Sequence, residues 1–311
     1  MDNSKLMSII LLSYYSGDRI VSCYNIVKER FEQENIPFEF IVMDDGSKDD
    51  SYQIALKLEK QYDNVKAYQL SRNYTAHYSK YAGLSVSNGA CVTSMPDDWQ
   101  QPIDTYVQMY RLWEQGHKVV IPSRRTRDDG VIKDFFSRTY YKIMNALSIV
   151  KFPDGGCDMF LADREIVDIL VNQIHPINTS SMVEVLRLGF DPYFLPFDRP
   201  KVKTQSRWTL RKRIKLASDT FFTCSNFPIH LITYLGLGTS VFSLLLIIAT
   251  IIIKLNGWNV MGFEIPGWAS IIIFLSFFSG MILFSLGMVA EYIWRIYEEV
   301  KNRPGYIIKK K

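Results

Sequence analysis

The sequence predicts an α/β protein: a mostly parallel sheet with helices on both faces, followed by two membrane-spanning helices. Two observations predict it. Through the first part of the chain, short apolar and β-branched runs alternate with segments whose apolar residues recur at helical spacing. Near the C-terminus, residues 231–253 and 265–290 carry no charged side chain. Each is longer than the roughly 20 residues a helix needs to cross about 30 Å of hydrocarbon.

The elements follow in order. Residues 7–13 (MSIILLS) read as a buried strand. Ile20, Val21, Tyr24, Val27 and Phe31 form the apolar stripe of a helix over 18–34, which Asn35-Ile36-Pro37 breaks. A strand over 38–43 ends in Asp44-Asp45-Gly46-Ser47; a helix over 49–62 and a strand over 65–70 come next. Ser71-Arg72-Asn73 leads into a helix that ends near Asn88-Gly89. Residues 90–94 are a strand, and Pro96-Asp97-Asp98-Trp99-Gln100-Gln101-Pro102 follows, with Pro102 opening a helix through Glu114. A strand over 118–122, a charged loop over 124–129, a helix over 132–150, a Gly-rich turn over 154–158 and a strand over 159–161 come after. Helices over 163–171 and 181–188 and an extended piece over 192–196 complete the first part.

The 311 residues are enough for one large domain and an appendage. The net charge of +4 is local: eight Lys/Arg and no acid lie between Arg199 and Lys215, and no acid follows Val300. The linker 254–264 holds one base and one acid. The positive-inside rule therefore predicts cytoplasmic termini and an outward linker. Basic residues beside the spans suit anionic headgroups or a lipid phosphate, and nucleic acid is not the expected partner. Trp208, Ile214, Ala217, Phe221 and Phe222 can share one side of an interfacial helix. The expected divisions are 1–198, a catalytic domain; 199–226, a basic juxtamembrane segment; 227–294, a transmembrane hairpin; and 295–311, a basic cytoplasmic tail. Cys23, Cys91, Cys157 and Cys224 lack paired spacing, as in reduced cytosolic proteins without a zinc site. His77, His117, His175 and His230 are isolated and read as ordinary surface or core residues. The apolar run at 6–12 lacks a small-residue cleavage site and is not expected to be a signal peptide.

Polar motifs stand after successive strands, where open α/β sheets bind ligands. Carboxylate and amide oxygens there suit Mg²⁺ or Mn²⁺ and, through the ion, a diphosphate. In this order and spacing, Asp44–Ser47, Ser71–Asn73 and Asp97–Gln100 resemble the motifs of family 2 glycosyltransferases with the GT-A fold. The closer resemblance is to polyprenyl-phosphate glycosyltransferases, the group with the dolichyl-phosphate mannose synthases and bacterial undecaprenyl-phosphate sugar synthases.

That resemblance implies the rest of the site. Tyr15, Asp44, Asp45, Arg72, Asn73 and Asp97 would bind a UDP- or GDP-linked sugar, and Asp98 and Gln100 fall on the metal positions. Asp97, Asp98 and Asp158 fall on catalytic positions, and Arg124, Arg138, Ser206 and Arg207 on those for an acceptor phosphate. Pro96 stands where the family pattern has its first aspartate, and Ser13–Gly17 departs from the family's motif after the first strand except at Tyr15. The implied reaction is inverting transfer of one sugar to undecaprenyl phosphate at the cytoplasmic membrane face, by a homo-oligomer. The competing expectations are a hydroxyl acceptor, as in glycolipid or polysaccharide synthesis, and an inactive membrane-anchored scaffold.

Overall fold

The computed structural model describes residues 3–99, 101–124, 139, 142, 145–146, 150–153, 157, 159–198, 227–255 and 267–309. The chain forms two compact units: Met1–Cys224 together with Arg303–Lys311, and Ser225–Asn302.

The first unit is built on a mixed, mostly parallel seven-stranded sheet in the order β3-β2-β1-β4-β6-β5-β7. The strands are β1 (Met7–Ser13), β2 (Phe38–Asp44), β3 (Val65–Gln69), β4 (Cys91–Pro96), β5 (Val119–Arg124), β6 (Leu161–Asp163) and β7 (Tyr193–Phe197). The helices between them are α1 (Arg19–Gln33), α2 (Ser51–Gln61), α3 (Ala76–Val86), α4 (Ile103–Glu114), α5 (Arg164–Asn172) and α6 (Ser181–Arg187). β1 pairs in parallel with β2 on one side and β4 on the other. β6 runs antiparallel between β4 and β5, which makes β5 parallel to β4.

Side chains alternate across a strand, so each strand feeds two cores. Ile9, Leu11, Phe40 and Val42 meet Tyr24, Val27 and Phe31 of α1 and Tyr106 and Tyr110 of α4. Ile10, Ile41, Met43 and Val92 meet Tyr81 and Leu84 of α3 and Ile166, Val167 and Leu170 of α5 on the other face. Both faces being covered explains why β1 and β2 are apolar almost without interruption.

The second unit holds α7 (Phe227–Leu255) and α8 (Gly267–Val300). Both are long and apolar enough to cross a membrane. Leu237, Leu244, Ile271, Leu283 and Leu286 remain exposed, although water disfavours so much apolar surface.

The structure adjusts several expectations. β4 runs on to Pro96, a strand end where a missing N–H is tolerated. Pro102 is the N-cap of α4 rather than its first helical residue, and its carbonyl accepts from Thr105 N at 3.0 Å. The strand expected over 159–161 starts at Leu161, and the extended piece near 192–196 is β7, paired with β5 at the sheet edge. α8 continues past 294 to Val300, and the residues expected as a separate tail, from Arg303 on, belong to the first unit. The expected helix over 132–150 lies almost wholly, and the juxtamembrane segment 199–226 wholly, outside the described residues.

Candidate active site

The strand order reverses at β1: the chain proceeds outward through β2 and β3, then returns to place β4 on the other side. Loops leaving the C-terminal ends of β1 and β4 therefore diverge and open a crevice, the usual ligand position in such sheets. The loop after β1 and the acidic motif after β4 meet across it. Ser16 Oγ donates to Asp97 Oδ2 at 2.6 Å, and Arg19 Nη2 lies 2.8 Å from the same oxygen. Arg19 also donates to the carbonyls of Tyr15 and Ser16, so one guanidinium ties the β1 loop to Asp97. That loop turns through left-handed backbone at Tyr15 and Gly17, and its Tyr14 and Tyr15 rings are exposed and edge-on, 4.6 Å apart.

The two carboxylates at the end of β2, Asp44 and Asp45, face inward. Asp44 is fully buried. Its Oδ2 accepts from Ser47 N at 3.0 Å and Gln69 Nε2 at 2.9 Å, and its Oδ1 accepts from Ser47 Oγ at 2.5 Å. Asp45 accepts from Tyr74 N at 2.7 Å and Thr75 N at 2.9 Å, one on each oxygen. Burial holds the Asp45 carboxyl above the usual carboxylate range, and those two backbone N–H groups oppose the shift. Asp44 thus shapes its own turn, and Asp45 shapes the Ser71–Thr75 loop. Gly46 completes the turn with φ +69°; a Cβ there would lie 2.5 Å from the Arg72 carbonyl carbon, so only glycine fits. Ser47 Oγ also accepts from Tyr15 N at 3.0 Å, joining the β1 and β2 loops.

The Ser71–Asn73 loop stays exposed. Arg72 lies over the Tyr74 ring, 4.5 Å from its centre, and Asn73 Oδ1 accepts from Thr75 N at 3.2 Å. Arg124 ends β5 at the same sheet edge as the other motifs, because β5 runs parallel to β4. Tyr15, Asp44, Asp45, Arg72, Asn73, Asp97, Asp98 and Arg124 all stand in loops or strand ends at that edge. Gln100, Arg138, Asp158, Ser206 and Arg207 lie outside the described residues.

Asp97 and Asp98 differ in setting. Asp97 is engaged by Arg19 and Ser16; burial raises the Cys23 thiol to about 12, helped by the charge of Asp97 and, to a lesser extent, of Asp98. Trp99 has φ +52° and packs on the α1–α4 core, turning the chain sharply after Asp98. Gln101 is buried, and its Oε1 has no hydrogen-bond partner among the described residues. Among those residues no three His, Cys, Asp or Glu side chains form a metal-binding group. The carboxylate of Asp98 and the unpartnered amide oxygen of Gln101 are hard donors of the type that would suit a divalent ion such as Mg²⁺.

Sequence reasoning missed Ser16, Arg19 and Gln69. None belongs to a motif by spacing; each is recruited by the tertiary path of the loops. The one available signal was Gln69 itself, a polar residue at the inward position of a strand end beside Ser71-Arg72-Asn73.

The pattern of the family described as Glycosyl transferase family 2 matches residues 8–170, the sheet and motifs just described. The chain belongs to that family. This family 2 glycosyltransferase is 30% identical over 309 residues to a glycosyltransferase of Synechocystis sp., covering 97% of this chain and 94% of the relative. It is 30% identical over 307 residues to the SfII prophage-derived bactoprenol glucosyl transferase of Shigella flexneri, covering 98% and 97% of the two chains. Among solved structures, glucosyl-3-phosphoglycerate synthase from Mycobacterium tuberculosis, in complex with UDP, superposes with a TM-score of 0.46 at 16% identity, covering 69% of this chain and 76% of that one.

Proposed function

We propose that this glycosyltransferase transfers a single sugar from a UDP- or GDP-linked donor to polyprenyl (undecaprenyl) phosphate at the cytoplasmic face of the membrane, with inversion at the anomeric carbon. The observation that carries the reading is the likeness to the bactoprenol glucosyl transferase over 98% of this chain, a share that takes in the two apolar helices as well as the sheet. A soluble acceptor would not call for those helices.

In this reading an ionised oxygen of the acceptor phosphate attacks the anomeric carbon. The bond from that carbon to the donor diphosphate breaks, and the nucleoside diphosphate leaves with the electron pair. The acceptor oxygen is already deprotonated near neutral pH, so the chain needs positioned cations more than a general base. Arg72 stands exposed within the loop that Asp45 orders. Arg124 ends β5 at the same edge and is assigned to the acceptor phosphate with Arg138, Ser206 and Arg207. Tyr15 and the Asp44–Ser47 turn form the wall assigned to the nucleoside. Asp98 and Gln100 are assigned to Mg²⁺ or Mn²⁺, with the buried Gln101 amide oxygen as a further donor. Such an ion, when bound, supplies Lewis-acid stabilisation of the departing diphosphate. Asp158 is assigned to orienting the acceptor or a sugar hydroxyl. We extend the proposal to a homo-oligomer, since two spans offer little surface for a long lipid.

The test is a transfer assay. Purified protein is given undecaprenyl phosphate, Mg²⁺ or Mn²⁺ and a panel of UDP- and GDP-sugars, and the lipid extract is read by mass spectrometry. We expect a sugar-phosphate lipid from one donor and its loss with EDTA. A product only on a hydroxyl-bearing lipid would overturn the acceptor assignment.

A further inference from the structure

Ile307, Ile308 and Lys309 dock on the sheet edge behind the donor motifs. Ile308 bridges Leu70 in antiparallel register, Ser71 N donates to Ile307 O at 2.8 Å, and Lys309 N donates to Gln69 O at 2.8 Å. Leu70 N donates instead to Asp44 O, so the tail takes the outer edge of the strand that β2 holds from within. Tyr306 and Ile308 pack on the core beneath α3 and α5. Gly305 passes so close that a Cβ would lie 2.8 Å from Pro176 Cγ and 2.9 Å from the Tyr78 ring. Backbone pairing, apolar packing and a glycine-only approach together make this a built contact.

Its polar end reaches the site. Lys309 Nζ donates to Gln69 Oε1 at 2.9 Å, and Gln69 Nε2 donates to Asp44 Oδ2 at 2.9 Å and to Ser47 O at 3.4 Å. An amide has one acceptor end and one donor end. The Asp44 carboxylate demands the donor end, which leaves the oxygen for a cation, and Lys309 supplies it. The relay then fixes Asp44, whose other partners are the N–H and hydroxyl of Ser47. Ser47 in turn holds Tyr15, and Ser71, held by the tail, opens the loop that carries Arg72.

We propose that the C-terminal segment Arg303–Lys309 is a working part of the donor site, with Lys309 and Gln69 as positioning residues for the Asp44–Ser47 turn and the Ser71–Thr75 loop. This rests on the reading of those loops as the nucleotide-sugar site. The segment follows α8 directly, so the residue that completes the donor pocket lies beyond the apolar helices in the chain. In this proposal the donor pocket is complete only after the chain has been made through Lys309, beyond both apolar helices.

The test uses the full chain in detergent or nanodiscs, with UDP and GDP titrations and steady-state kinetics. Lys309→Met keeps the tail's length and packing and removes the cation. We expect its nucleotide Kd and its KM for the nucleotide sugar to rise about three- to tenfold, the loss of one charge-assisted hydrogen bond. The KM for undecaprenyl phosphate should stay unchanged, and Lys309→Arg should restore most of the loss. A chain ending at Asn302 should weaken donor binding further and speed amide exchange at Ser47 and Ser71. Wild-type nucleotide binding that Lys309→Met leaves unchanged, or an equal rise in both KM values, overturns this proposal alone. Binding of neither nucleotide by the wild type overturns the donor-site reading and this proposal with it.

Discussion

Asp97 and Asp98 are adjacent carboxylates, and we propose that they do different work. Asp97 is neutralised by Arg19 and held by Ser16, so it closes the crevice between the β1 and β4 loops. A half-exposed ion pair of this kind adds little global stability, on the order of 1 kcal/mol or less, so its value lies in position. Asp97→Asn keeps an acceptor for Ser16 and loses the charge that holds Arg19. It should raise the donor KM about fivefold while leaving the Mn²⁺ midpoint of turnover in place. Asp98→Asn should move that midpoint upward and lower turnover by roughly 100-fold, the usual scale for removing a group that stabilises leaving-group charge. Manganese titrations of both variants check this, and the opposite pattern would exchange the two roles. The acidic motifs themselves were legible as residues of chemical interest. Their division of labour was not, because whether a carboxylate faces a ligand or folds its own loop depends on distant partners: Gln69 for Asp44, Tyr74 and Thr75 for Asp45, Arg19 for Asp97.

At the scale of elements, the β2 turn and the Ser71–Thr75 loop behave as one piece, pressed together at Gly46. Gly46→Ala would set a Cβ against the Arg72 backbone in a left-handed conformation. We expect a loss of about 1–3 kcal/mol in stability and loss of nucleotide binding, measured by thermal unfolding and titration; a variant that binds normally would show the loop to be free of the turn. The elements that sequence revealed best were those with strong local signals. Buried runs gave β1 to β5 to within two residues at each end, and the apolar stripe of Ile20, Val21, Tyr24, Val27 and Phe31 gave α1. β6 is only Leu161–Asp163 and has no period to read; its direction is set by β4 and β5 on either side. The tail looked like a basic appendage because Tyr306 and Ile308 are too few to show a pattern, and their partners lie far back in the chain.

For the whole molecule, connectivity constrains topology. The chain leaves the first unit, forms the two apolar helices and rejoins the first unit at Arg303. A folded domain cannot lie on both sides of a bilayer, so the helices must cross it an even number of times or not at all. Their length and their exposed apolar side chains favour two crossings. With basic residues flanking the pair, we propose that the first unit lies in the cytoplasm and the linker outside, as the positive-inside rule expects. Asn256→Cys, in that linker, should react with a membrane-impermeant maleimide in intact cells. Arg303→Cys, at the start of the returning tail, should react only after permeabilisation. Labelling of both positions from outside would put the sugar-transfer site on the far side of the membrane from its nucleotide donor and would remove the proposed reaction. Labelling of neither before permeabilisation would mean that the helices lie on the membrane without crossing it. The lipid phosphate would then have to be reached from the bilayer surface alone.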